Sequence, residues 1–141
     1  NAVEEGGAVM APVDSAHARR LHLVAGVAMM FAATTLRAEL VEIGWDASGS
    51  FERAIDIAPG KFAELCGRLA KGQTIAWSFK SPLPLDFNIH FHEGREVVFP
   101  AKQNQTTSLQ GELKVPVDQD YCWVWENKAG GPGSVVIVLH R

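Results

Sequence analysis

Two histidines two residues apart, His90 and His92, are the first residues in this sequence whose type and spacing suggest chemistry. On a strand, residues two apart point the same way, so both imidazoles share a face with Asn88 before them. Two imidazoles about 7 Å apart can share a zinc or copper ion if a third ligand converges. Glu96, four residues after His92, is the carboxylate at hand, and His90, His92 and Glu96 form the candidate metal set. The second pair is Cys66 and Cys122, the two cysteines of the chain. Behind an export-like leader they are a candidate disulfide, and in a reducing compartment they are two buried free thiols. A disulfide closing the roughly 57-residue loop would constrain the unfolded chain by roughly 4 kcal/mol in the chain-entropy picture. The spacing excludes a Cys-x-x-Cys redox site.

Other chemistries find little footing. Ser48, Ser50, Ser78 and Ser81 stand in no nucleophile-elbow context. Gly130-Gly131-Pro132-Gly133 reads as a hairpin turn with no helix after it, so it cradles no phosphate. Asn104-Gln105-Thr106 is a formal glycosylation sequon, meaningful in a eukaryotic secretory setting. A net charge of −3 and a pI near 5.9 give no basic field, which argues against nucleic-acid binding through phosphate neutralisation.

The elements that must position these residues read as strands. With 141 residues, 47% of them apolar and 21% charged, the chain has enough apolar material for a real core. Four Trp and seven Phe favour β-structure. From about residue 45, short alternating runs end at Gly, Pro, Asn or Asp: Phe51 to Ile57, Ile75 to Phe79, Phe87 to Phe91, Val97 to Phe99, Leu113 to Val115, Tyr121 to Trp125 and Val135 to Leu139. That density predicts an all-β fold, an antiparallel sandwich of jelly-roll type with seven to eight strands. One parity supplies an aromatic interior of Trp77, Phe79, Phe87, Ile89, Phe91, Tyr121, Trp123 and Trp125, leaving His90 and His92 facing outward. Lys61 to Leu69 fits either a short helix or an irregular edge segment.

Ahead of this domain, Arg19-Arg20, the nearly uncharged run Leu21 to Leu36 and Arg37-Ala38 follow the layout of a secretory signal with a cut after Ala38. The run is short for a membrane span, and a buried helix is the other reading. Residues 1–38 are thus expected to be a leader or an N-terminal helix, and 39–141 the folded domain, placed in the periplasm or outside the cell. Membrane association follows only if the apolar segment stays uncleaved.

Two resemblances add to this. Glu64-Leu65-Cys66, Lys71-Gly72-Gln73, Ile75-Ala76-Trp77-Ser78-Phe79, Asp86-Phe87-Asn88-Ile89-His90-Phe91, Val115-Pro116 and Tyr121-Cys122-Trp123-Val124-Trp125-Glu126-Asn127 together resemble the Golgi-dynamics (GOLD) domain, over about residues 50–140. That resemblance implies a jelly-roll-like sandwich with a binding role, and a cysteine pair mapping onto Cys66 and Cys122. The spacing His-x-His-x3-Glu is similar to the first metal motif of cupins, also β-sandwiches. It lacks the flanking glycines, Pro84 and Gln103 standing in their places, and His140 comes too late to be a third histidine.

The expected function is therefore an exported, non-catalytic binding or assembly module with no cofactor, whose partner is a protein or small ligand met at a face bearing Asn88, His90, His92 and Glu93. The alternative is a cupin-like zinc or copper site at His90, His92 and Glu96, with enzymatic activity conceivable.

Overall fold

The computed structural model describes residues 38–141; the leader-like segment lies outside them. Seven strands and no helix make up the described chain: β1 (Glu39–Glu42), β2 (Ser50–Ile57), β3 (Phe62–Leu69), β4 (Thr74–Glu93), β5 (Glu96–Lys114), β6 (Gln119–Glu126) and β7 (Gly133–His140). The expectation of an all-β fold holds.

Its architecture differs from the expected antiparallel sandwich in two ways. β1 runs parallel to β3, so the sheet is mixed. All the strands also belong to one hydrogen-bonded sheet in the order β1-β3-β6-β4-β7-β2, with β5 on β4, curled until β2 approaches β3. The reason lies in β4, a 20-residue strand that serves both halves of the molecule. Residues Ala76–Lys80 pair with β7, and Asp86–Phe91 pair with β6. No ladder pair falls between Lys80 and Leu85, where the neighbouring strand changes. Pro82 and Pro84 sit in that gap, so their missing N–H groups cost no ladder bond and the strand bends without ending.

The segment 61–69 is strand β3. It pairs with β6 through Phe62↔Glu126, Glu64↔Val124 and Cys66↔Cys122, and buries Ala63, Leu65 and Leu69 on alternate positions. The aromatic parity read from the sequence is the parity of the interior. Tyr121, Trp123 and Trp125 are fully enclosed, and Trp77, Phe79, Phe87, Ile89 and Phe91 join them. Phe79 and Phe87 lie 4.7 Å apart between ring centres, and Phe79 meets Trp125 edge-on at 5.7 Å.

The seam where the sheet nearly closes is held by Asn127, buried at the end of β6. Its Nδ2 donates to the carbonyls of Ile57 and Gly131, both at 2.9 Å, and its Oδ1 accepts from Ala129 N–H. Its backbone also bonds Gly60 and Lys61 in the β2–β3 connection. A side chain with every polar atom satisfied fixes a corner that apolar packing alone would leave loose.

Candidate functional site

The site is built on the outer face of β3, β6 and β4, opposite the aromatic core. Because paired residues share a face, the register lays down rows across the three strands. Phe62, Glu126 and Asp86 make one row; Glu64, Val124 and Asn88 the next; Cys66, Cys122 and His90 the third. His92 follows one step further along β4.

β5 supplies the wall. The β4–β5 hairpin turns through Gly94-Arg95, with Gly94 at φ 61°, a left-handed conformation that suits glycine. His92 pairs with Val97 and Phe91 with Val98, but Ile89 pairs with Ala101, so β5 carries an extra residue opposite His90. This bulge resets the alternation: Val97, Phe99 and Lys102 all reach the outer face although their spacing is not uniformly two. Pro100 falls within it, which is why the strand expected to stop at Pro100 runs on to Lys114. Further along, Gln105 takes φ 51°, and Asp86 Oδ1 accepts from both its backbone N–H (3.0 Å) and its Nε2 (2.7 Å). Those two bonds offset the roughly 1–2 kcal/mol that a left-handed residue costs.

The result is a groove of about 550 Å³ whose floor carries Glu64, Asn88 and His90 and whose rim carries Phe62, Val97 and Phe99. The three rim residues are 44%, 43% and 48% exposed, although large and apolar. Lys102 Nζ lies 5.3 Å from the centre of the Phe99 ring. At one end Lys128 bonds Asp86 at 2.6 Å and approaches Glu126 at 3.7 Å. The Lys128 ammonium, with Gln105, holds the Asp86 carboxyl below its ordinary pKa.

His90 is largely enclosed on the floor, its side chain 15% exposed against 26% for Glu64. Its Nδ1 lies 3.0 Å from Asn88 Oδ1, which can only accept, so the proton sits on Nδ1 and Nε2 presents a lone pair. Nε2 is 3.7 Å from Glu64 Oε1. Burial pushes the imidazole pKa below its ordinary 6.5, Glu64 opposes that shift, and His92 adds to it. The fold thus favours the neutral ring. Among the described residues, His90 is the sole charged or chargeable partner that Glu64 meets at this distance.

Of the residues expected from sequence, Asn88, His90 and His92 do share the outer face. Glu93 and Glu96 pair with each other across the hairpin, so they belong to the opposite face from His92, and Glu96 does not converge on the histidines. The carboxylate that meets His90 is Glu64. Sequence reasoning missed it, together with Phe62, because Lys61 to Leu69 was not read as a strand; alternation would have put Phe62, Glu64 and Cys66 on one face. The disulfide is present: Cys66 and Cys122 are a direct cross-strand pair, Cα atoms 4.2 Å apart. The groove lining contains no hydroxyl or free thiol to act as a nucleophile.

No family model matches this sequence, and no curated protein does either. Solved structures do share the fold. The periplasmic inhibitor of g-type lysozyme PliG from Aeromonas hydrophila aligns with a TM-score of 0.55 and 15% identity, over 74% of this chain and 98% of the inhibitor. PliG from Salmonella Typhimurium aligns at 0.56 and 14%, with the same coverage. The pre-peptidase C-terminal domain of a Bacillus anthracis collagenase aligns at 0.54 and 14%, over 72% of this chain and 96% of that domain. At such identities the likeness is one of fold.

Proposed function

We propose that this chain is an exported, non-catalytic binding module that takes a protein partner in the groove between β5 and the β3-β6-β4 face. The observation that carries this reading is the rim: Phe62, Val97 and Phe99 stand exposed around a half-buried polar floor. Large apolar side chains around a few fixed polar groups are the composition of an interface centre. Glu64 adds specificity, since a partner's amide, ammonium or guanidinium group would complete its hydrogen bonding.

Export is supported by the disulfide, a feature of oxidising compartments, and by the signal-like order of residues 19–38. No helix among the described residues is long and apolar enough to cross a membrane. Two fold neighbours are, by name, periplasmic inhibitors of an enzyme, so this architecture is used elsewhere to engage a protein. The GOLD-like motifs point to the same class of role.

The test is site-specific photocrosslinking in the native host, with a photoreactive residue at Phe99 and a control at Val138 on exposed β7. A discrete adduct from position 99, absent from 138, is expected. Equal labelling from both positions, or none from 99, overturns the reading. Intact mass of the native protein should give a chain beginning at Glu39 and lacking two hydrogens. An N-terminus upstream of Leu21 would count against cleaved export.

A further inference from the structure

We propose that Glu64, His90 and Cys122 form a latent zinc site, closed by the Cys66–Cys122 disulfide and opened by a thiol reductant. The three residues come from β3, β4 and β6, and one ligand atom of each lies within 4.8 Å of the others. The register enforces this meeting: Cys66, Cys122 and His90 occupy one row, and Glu64 lies one step along β3 on the same face. The His90 ring is already oriented, with Nδ1 bonded to Asn88 and Nε2 turned toward Glu64. Metal-bound histidines are held in this way by their second nitrogen.

In the oxidised protein the Cys122 sulfur is half of a disulfide and a poor donor. A dithiol breaks the S–S bond, giving up two electrons and two protons and becoming a disulfide itself, while Cys66 and Cys122 become thiols. Zinc then displaces the Cys122 proton to solvent and meets thiolate, imidazole and carboxylate, a donor set that suits it, with a fourth position left for water. The metal would bridge β3, β4 and β6 where the covalent bond joined only β3 and β6. This inference does not depend on the protein-partner reading, because it joins Glu64 and His90 of the groove floor to the neighbouring Cys122 and needs no partner.

Cobalt(II) is the probe, added to the full-length chain with the disulfide intact or after reduction and anaerobic removal of the reductant. The reduced protein should bind one cobalt with a thiolate-to-metal charge-transfer band and tetrahedral visible bands, and zinc should displace it. The oxidised protein should lack the charge-transfer band and bind zinc at least about tenfold more weakly. Glu64→Gln and His90→Ala should each weaken zinc binding to reduced protein by at least about tenfold, the lower end of what disturbing a metal site costs. Cys66→Ser leaves the Cys122 thiol free without reductant and should show the band; Cys122→Ser should lose it. Equal zinc affinity in both redox states overturns the proposal, as does a band that survives in Cys122→Ser. If near-ultraviolet circular dichroism shows both the reduced protein and Cys66→Ser unfolded with zinc present, the proposal also fails, because the ligands then have no frame.

Discussion

Two adjacent rows across the same three strands have opposite chemistry. Leu65, Trp123 and Ile89 form one, each fully buried on the inner face; Cys66, Cys122 and His90 form the other, one residue along and facing outward. The inner row is held by packing, so its side chains are constrained in size and shape. The outer row is held by the same backbone ladder at no packing cost, so its side chains are free to be chosen for what they bind. This sheet separates packing from surface chemistry by parity alone.

The two rows should therefore respond unequally to truncation. Trp123→Ala should lower unfolding free energy by roughly 3–5 kcal/mol in urea denaturation, whereas His90→Ala should cost less than about 1 kcal/mol. Similar losses at both positions would erase the distinction. The outer row has one covalent contribution to stability, and the Cys66→Ser/Cys122→Ser double variant, denatured in the absence of metal, should be destabilised by roughly 2–4 kcal/mol. Asn127→Ala removes three side-chain bonds at the seam and strands the carbonyls of Ile57 and Gly131, so a loss of about 2 kcal/mol is expected in the same assay.

The smallest effect is a titration. In metal-free, oxidised protein the folded state favours neutral His90, so its contribution to stability is present above pH 6.5 and is lost as pH falls through the folded-state pKa. NMR should place the His90 midpoint below 6.5. Glu64→Gln removes the one contribution that raises it and should move the midpoint lower still. A midpoint at or above 6.5, or an upward shift in that variant, would show that His90 is not enclosed beside Glu64 as described.

The inside of this fold was legible because burial in a strand obeys a period of two that any alternating run displays. Trp123 and Trp125 announced it in a few residues. β3 was not legible, because Phe62, Leu65, Cys66 and Leu69 are also spaced as one face of a helix. Pairing of β3 with β1 on one side and β6 on the other settled the matter in favour of a strand, and with it went the position of Glu64. Prolines misled in the same way. Pro82 and Pro100 looked like ends of strands, yet each lies where a change of neighbour or a bulge removes the need for its N–H.

Residue order alone was enough to specify strands, the side chains that point inward, and two outward histidines on a shared face. Alternation is a local property, enforced by backbone geometry within a few residues. That His90 lies beside Cys122 and Glu64, and not with Glu96, came from how the strands pair. Strand order and register are chosen by contacts between segments far apart in the chain, and no local pattern records which segment will be the neighbour.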